Sequence, residues 1–123
     1  MSSMIYVHTS GVKTPERSAT PIYLASTAAA MDVEVGIYFT INGPTLLEKG
    51  VAEKLIVPKH DGNGAPLKKF IDQALDLGVT FYVCQPSLDL HGLNHEDLID
   101  GVEMIGGAAF NDMALEADQV VCF

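Results

Sequence analysis

Cysteine is the side chain best suited to covalent chemistry in this 123-residue chain, and there are two, Cys84 and Cys122. Cys84 ends the apolar run 78–84, which is typical of a buried strand, and the Gln-Pro-Ser sequence at 85–87 predicts a turn that opens a helix. Backbone N–H groups at the start of a helix lower the pKa of a nearby thiol, and the thiolate is the nucleophile. We therefore expect Cys84 to be the reactive residue, with Gln85 and Ser87 beside it as supporting residues.

Two features oppose this interpretation of Cys84. Free cysteine is among the most buried residue types, so Cys84 could instead be a small, inert core residue of an assembly subunit. The chain is also acidic, with 16 Asp and Glu against 7 Lys and Arg, and no Lys or Arg lies within ten residues of Cys84. Stabilisation of a thiolate must then come from backbone amides and from the dipole of the following helix.

Cys122 follows the alternation of a terminal strand, which favours a structural role. It could act as a resolving thiol only if its strand were the neighbour of the strand that leads to Cys84. The chain has no C-x-x-C pair, so a thioredoxin-type dithiol site is not predicted. Two such distant cysteines do not form a disulfide framework, and we expect both to be free thiols in the reducing cytoplasm.

The histidines do not match a zinc-ligand spacing, and no metal is predicted. There are four of them, His8, His60, His91 and His95. Only the last two lie four residues apart, and Gly92 and Asn94 interrupt any helix between them. His8 ends the first predicted strand and His91 follows Cys84 closely, so both are candidate supporting residues for the thiol.

The segment 8–13, His-Thr-Ser-Gly-Val-Lys, is the basis of an alternative function. Hydroxyls and a glycine after a strand could hold an anion on backbone amides, as in a flavodoxin-like module that binds a small ligand or a nucleotide without catalysis. The segment lacks the spacing of both the P-loop and G-x-G-x-x-G, so no cofactor is predicted. There is no G-x-S-x-G elbow either, so neither Ser10 nor Ser87 is predicted to be a hydrolase nucleophile.

Composition excludes several classes of protein. A net charge of −9 without a basic cluster argues against nucleic-acid binding. No apolar run approaches the roughly 18 residues that span a membrane, and no leader pattern opens the chain. With 48% hydrophobic residues, the chain is expected to fold as one domain over 1–123. The mean hydropathy of +0.23 is high for a small protein, which indicates that copies of the chain cover part of its apolar surface.

Strand and helix patterns alternate along the chain, with a loop at 60–64 and an ambiguous segment at 50–60. Strands are predicted at 4–8, 33–40, 78–84, 102–105 and 119–123. Helices are predicted at 18–31, 45–49, 66–77, 86–90, 95–99 and 108–117. This order predicts an α/β protein, a three-layer α/β/α sandwich with a mostly parallel sheet of about five strands. The uncharged helix 18–31 should face the sheet on one side and a neighbouring subunit on the other.

In such sheets, reactive groups gather beyond the carboxyl ends of the strands. That edge should bring together residues from four predicted strand ends, His8, Thr40, Cys84 and Gly106.

Several stretches of the sequence resemble the DsrE/DsrF-like family. The resemblance lies in the segment 84–103, which carries Cys84, a Ser-Leu-Asp-Leu-His-Gly run and the stretch Asp-Leu-Ile-Asp-Gly-Val-Glu, and in the runs 28–31 and 35–40. The chain departs from the family in having Pro86 where methionine is common. The resemblance implies that Cys84 carries a persulfide between sulfurtransferases, such as TusA-like and rhodanese-like partners. It also implies a trimer or hexamer that needs no cofactor.

Overall fold

The computed structural model describes residues 2–123. Five parallel strands form its principal sheet in the order β6-β5-β2-β1-β7, and a separate antiparallel ribbon joins β3 to β4. The strands are β1 Ser3–His8, β2 Glu34–Phe39, β3 Ile56–Val57, β4 Ala65–Pro66, β5 Thr80–Val83, β6 Val102–Met104 and β7 Gln119–Cys122. The α-helices are α1 Thr20–Ala30, α2 Val51–Lys54, α3 Leu67–Asp76, α4 Gln85–His91 and α5 Gly107–Glu116. The predicted α/β architecture with a five-stranded parallel sheet is confirmed.

One face of the sheet forms the hydrophobic core. Four buried side chains lie in register across four neighbouring strands, Tyr6, Ile37, Phe81 and Val102. Helices α1 and α3 cover this row with buried residues that belong to the same cluster. Because a buried large apolar side chain contributes about 1.5–3 kcal/mol, this face supplies most of the hydrophobic stabilisation of the fold.

The direction of the crossovers decides which face each helix covers. The chain moves in one direction from β1 to β2 and then to β5, so right-handed crossovers place α1 and α3 side by side on the same face. From β6 it returns across the whole sheet to β7, and the same handedness places α5 on the opposite face. The result is a helix layer on each face, as predicted.

Helix α1 is buried on more than one side, as its uncharged pattern predicts. One side packs on the sheet and another packs against α3 of the same chain. Its remaining side is exposed and includes Tyr23, which is 53% exposed, with Met31 just beyond the helix at 70%. A contact between α1 and a neighbouring subunit stays a prediction.

The face beneath α5 is covered only in part. No residue of α5 is buried, and the side chain of Leu115 is 84% exposed. A cavity of about 240 Å³ lies between the carboxyl-terminal end of this helix and strands β1, β2 and β5. Because α1 and α3 each bury several residues, the α5 face of the sheet is less completely covered than the face beneath those two helices.

The short elements depart most from the sequence prediction. The helix expected at 45–49 is a 3₁₀ turn at Gly43–Leu47, and α2 and β3 form within the segment that was ambiguous. The helix expected at 95–99 is a 3₁₀ turn at His95–Asp97, which Asp97 caps by accepting the N–H of Asn94 at 2.8 Å. Such short helices depend on tertiary contacts more than on propensity, so the sequence pattern predicts them poorly.

Candidate active site

Cys84 lies where the sheet gives way to a helix. It follows β5 directly and is the N-cap residue of α4, with extended backbone angles (φ −119°, ψ 150°). Its side chain is on the same face of the sheet as Tyr82, two residues earlier, because side chains alternate along a strand. This is the partly covered α5 face. The residue itself is only 8% exposed.

Two hydroxyl groups lie against the thiol. The Cys84 Sγ is 3.0 Å from the Ser87 Oγ and 3.6 Å from the Thr40 Oγ1, and the two oxygens are 3.1 Å apart. Thr40 follows β2, the strand beside β5, and continues the register that pairs Phe39 with Val83. The three side chains therefore meet at the carboxyl edge of the sheet, where the sequence predicted that Thr40 and Cys84 would converge.

Tyr38 completes this group from within β2. Its side chain points to the α5 face, where its ring packs against Phe110 of α5 with 4.4 Å between ring centroids. Burial, together with the proximity of its hydroxyl to the Cys84 thiol and the charge of the thiolate, raises the pKa of Tyr38 well above its ordinary value. The phenol therefore stays protonated and serves as a donor. Sequence analysis missed Tyr38, although its spacing of two from Thr40 places both side chains on one face.

The pKa of the Cys84 thiol reflects a competition between burial and hydrogen bonding. Burial raises the pKa, but the hydroxyls of Ser87, Tyr38 and Thr40 and the backbone N–H of Ser87 stabilise the thiolate and bring the pKa below its ordinary value. No cationic side chain takes part. Sequence analysis anticipated the backbone amide but not that three hydroxyls would do most of this work.

Ile41 links this group to the next turn of α4. Its N–H donates to the Ser87 Oγ at 2.7 Å, and its carbonyl accepts a hydrogen bond from the Nε2 of His91 at 3.0 Å. The backbone of Ile41 is in the left-handed region, with φ +59°. That conformation is strained for a β-branched residue, at a cost of order 1–3 kcal/mol. It aims the Ile41 N–H at Ser87.

The four supporting residues predicted from sequence have different positions. Ser87 contacts the thiol directly, and His91 reaches the site only through the carbonyl of Ile41. Gln85 is exposed, and its amide donates to the carboxylate of Asp89 at 2.8 Å. His8 ends β1 as expected but points to the other face of the sheet, where its ring packs against Phe39 with 5.5 Å between centroids. Neither Gln85 nor His8 lies beside the sulfur.

His8 is fully buried and neutral. Its Nε2 donates to the Ser18 carbonyl at 2.8 Å, which fixes the tautomer, while the Nδ1 has no hydrogen-bonding partner among residues 2–123. Burial lowers the pKa of His8, and the positive charge of Arg17 lowers it further against the opposing effect of the Ser18 carbonyl. The role of His8 is therefore within the core.

Cys122 cannot pair with Cys84 in the same chain. It lies on β7, which pairs with β1, whereas Cys84 follows β5, which pairs with β2. Two strands separate them, so three strand spacings of about 4.8 Å put the cysteines roughly 14 Å apart. A disulfide needs Cα atoms within about 7 Å. Because its strand is not the neighbour of the strand that leads to Cys84, Cys122 does not act as a resolving thiol within one chain.

The segment 8–13 uses its hydroxyls within the fold. Thr9 donates to the carbonyl of Phe123 at 2.6 Å, and the Ser10 Oγ accepts a hydrogen bond from the Nε of Arg17 at 3.2 Å. These contacts tie the loop to the chain terminus and to the turn before α1. The proton of Thr9 is therefore used within the fold, whereas Ser10 accepts a hydrogen bond and keeps its own proton.

Within residues 2–123, no group of three or more His, Cys, Asp or Glu side chains is arranged to hold a metal ion. Over the same residues, each helix is too short or too polar to cross a membrane.

The protein is similar to members of the DsrE/DsrF-like family. The model of the DsrE/DsrF-like family matches residues 2–123. A relative from Allochromatium vinosum, sulfur carrier protein DsrE2, is 28% identical, and the match covers 80% of this chain and 84% of that protein. An uncharacterised protein from Methanocaldococcus jannaschii is 24% identical over 89% of this chain, which spans only 38% of that longer protein.

A solved structure confirms the fold. The crystal structure of the ychN protein from E. coli superposes with a TM-score of 0.80 at 19% sequence identity, and the match covers 100% of both chains. At this identity the likeness concerns architecture alone.

Removing the Ser87 hydroxyl should make the thiol less reactive. In Ser87→Ala, the thiolate loses a donor whose hydrogen bond to a charged group contributes about 1.5–3 kcal/mol, so alkylation of Cys84 by iodoacetamide at pH 7 should slow at least about tenfold. The control is Ser26→Ala, which removes a buried hydroxyl of α1 bonded to the Ile22 carbonyl, far from the sulfur. An unchanged rate in Ser87→Ala would contradict the assignment.

His8 should make stability depend on pH. The folded state holds His8 neutral with a lowered pKa, whereas an unfolded histidine binds a proton below about pH 6.5. The unfolded state then binds more protons, so the free energy of unfolding should fall as the pH drops from 6.5 to 5. Urea unfolding should show a flatter profile for His8→Gln, while His60→Gln, in an exposed loop, should keep the wild-type profile. Equal profiles for all three proteins would rule out this role.

Proposed function

This chain belongs to the DsrE/DsrF-like family, and on that premise we propose that it carries sulfane sulfur as a persulfide on Cys84. Membership supports a sulfur-relay role at the level of the family. The observation that carries the finer proposal is the set of hydroxyls around Cys84, which lowers the pKa of a thiol that no cation touches. A relative that is named a sulfur carrier supports the same chemistry.

The transfer step needs no cofactor. The Cys84 thiolate attacks the outer sulfur of a donor persulfide, R–S–SH, and forms a new S–S bond. The donor's S–S bond breaks, and its electron pair leaves with the inner sulfur as R–S⁻. The products are Cys84–S–SH and the donor thiolate, so atoms, charge and oxidation states balance. Attack by an acceptor thiolate on the outer sulfur of Cys84–S–SH reverses the process and regenerates the Cys84 thiolate.

The hydroxyl groups suit a carrier that must both take and release sulfur. A lower thiol pKa raises the fraction of thiolate available for loading, and it also makes the same sulfur a better leaving group when the load is passed on. Ser87, Thr40 and Tyr38 stabilise the thiolate at both stages. Hydroxyl donors do so without the permanent positive charge that would hold the sulfur as a thiolate too tightly.

The partners we propose are proteins that bear their own reactive sulfur, of the TusA-like and rhodanese-like kinds. We place this exchange in the cytoplasm, because both cysteines are free thiols and Cys122 is exposed, a state that a reducing compartment maintains.

We also propose that the chain assembles into trimers or hexamers. What supports this is the partly covered face beneath α5, with its cavity and the exposed Leu115. A contact there would bury apolar surface close to Phe110, whose ring packs on Tyr38.

Sulfur loading should depend on Cys84 alone. After incubation with inorganic polysulfide, the intact mass should rise by multiples of about 32 Da per sulfur atom in the unmodified protein and in Cys122→Ser. In Cys84→Ser, no reducible mass should be added, because the nucleophile is gone. If Cys84→Ser still gains sulfur while Cys122→Ser does not, Cys122 carries the sulfur and the assignment to Cys84 is wrong.

Assembly should show in light scattering. The mass after size exclusion at micromolar concentration should be three or six times the 13.2 kDa of one chain. Leu115→Glu should lower it, because the charge would be buried in the contact. The matched control is Leu77→Glu, a partly exposed leucine that follows α3 on the other face of the sheet. A 13.2 kDa species in the unmodified protein would overturn the assembly.

A further inference from the structure

Ile41 has a conformation that the packing of the core does not explain. It is a β-branched residue in the left-handed region, where glycine would avoid the strain, and its side chain is 51% exposed. A strained residue persists where the surrounding structure holds it in place, and such residues cluster at functional sites. The hydrogen bonds of its backbone hold this conformation, and they leave the apolar side chain exposed at the surface.

The position of Ile41 is fixed relative to the thiol. Its N–H is bonded to Ser87 and its carbonyl to His91, two residues one turn apart on α4. Cys84 caps that same helix. Leu90, three residues after Ser87 on the flank of the same helical side, is 62% exposed. Two apolar side chains are thus presented on the elements that hold the sulfur.

The charge of the chain is divided along the sequence. All seven Lys and Arg residues lie within positions 1–69, whereas positions 70–123 contain ten Asp and Glu and no Lys or Arg. The second part comprises most of α3 together with β5, α4, β6, α5 and β7, and it includes the strand that leads to Cys84 and the helix that follows it. Asp89 is exposed on α4, and Glu103 is exposed on β6, in register with Tyr82.

We propose that these residues form a docking surface for a protein that exchanges sulfur with Cys84 and that carries Lys and Arg around its own reactive cysteine. Ile41 and Leu90 form the apolar centre, and Asp89 and Glu103 belong to the acidic rim. The inference rests on the proposed function and adds the chemistry of the partner. An apolar centre within a charged rim is the usual arrangement of a transient interface. A second copy of this chain that presented the same surface would bring acid against acid, so the surface favours a basic partner.

The test uses two synthetic peptides that each carry a cysteine persulfide next to a leucine. One has Lys and Arg on both sides of this pair, and the other has Glu at the same positions. At low salt the basic peptide should load Cys84 at least about tenfold faster, and 0.5 M NaCl should remove most of the difference. Inorganic polysulfide, itself an anion, should instead load faster as salt rises.

Variants separate the centre from the rim. Each is measured as the ratio of the basic-peptide rate to the polysulfide rate, so that changes in the thiol itself cancel. Ile41→Gly keeps the N–H and relieves the strain, so its melting temperature should not fall, yet the ratio should drop several-fold. The double variant Asp89→Lys, Glu103→Lys should lower the ratio at least about tenfold. The control is Asp76→Lys, at the end of α3 and thus at the opposite edge of the sheet, which should keep most of the ratio.

The outcomes distinguish the two proposals. If polysulfide does not load Cys84, the proposed function is wrong. If polysulfide loads it but the two peptides react equally, only the docking surface is wrong. If Asp76→Lys lowered the ratio of the two rates as much as the double variant does, the effect would be one of net charge. The proposed docking surface would then be wrong as well. A change in oligomeric mass on Ile41→Gly would show that the surface is a contact between copies.

Discussion

The hydroxyl of Ser87 is the contact on which the site depends. Its oxygen accepts the N–H of Ile41 at 2.7 Å, lies 3.1 Å from the Thr40 hydroxyl and 3.0 Å from the sulfur of Cys84. A hydroxyl has one proton to donate and two lone pairs. Because the Ile41 N–H occupies one lone pair, the Ser87 proton is free to point at the thiolate, and the Thr40 hydroxyl has its own single proton for the same sulfur. One side chain therefore joins the ends of β2 and β5 and places a hydroxyl donor beside the sulfur of Cys84.

This arrangement stabilises a thiolate in a chain whose acidic composition disfavours one. A chain with a net charge of −9 opposes a further negative charge on sulfur, and a nearby lysine or arginine would be the simplest remedy. The structure uses neutral dipoles instead, three hydroxyls and one backbone amide. Neutral donors stabilise the thiolate and leave the surroundings acidic. The charge around the site then remains available to select what approaches it.

The sequence predicted the architecture and the position of Cys84 at the edge of the sheet, because both follow from local patterns. Alternating strand and helix runs predict a parallel sheet, and a cysteine after the most apolar run must lie at its carboxyl edge. Ser87 was predicted because it follows Cys84 within a helix. Tyr38 was missed because contacts across strands depend on register, and the left-handed backbone of Ile41 was missed because a non-glycine residue gives no local sign of it.

The misplacement of His8 has a different cause. β1 is an interior strand with a helix layer on each face, so its residues 4–7 are all apolar and show no alternation that would reveal which way His8 points. For such a strand, the sequence predicts the edge of the sheet at which a residue lies. It does not predict the face of the sheet to which the side chain points.

Consecutive residues at the strand ends point to opposite faces of the sheet. One residue of each pair packs in the core, and the next belongs to the site. Phe39 and Val83 are fully buried in the core beneath α1 and α3, while the next residue in each strand, Thr40 or Cys84, points to the other face and belongs to the site. Because the strand alternation is strict, the packing of the first pair fixes the position of the second. The core thus holds the thiol and its hydroxyl partner at 3.6 Å without either taking part in the core. The α5 face can remain only partly covered within one chain because the stability of these strand ends comes from the opposite side.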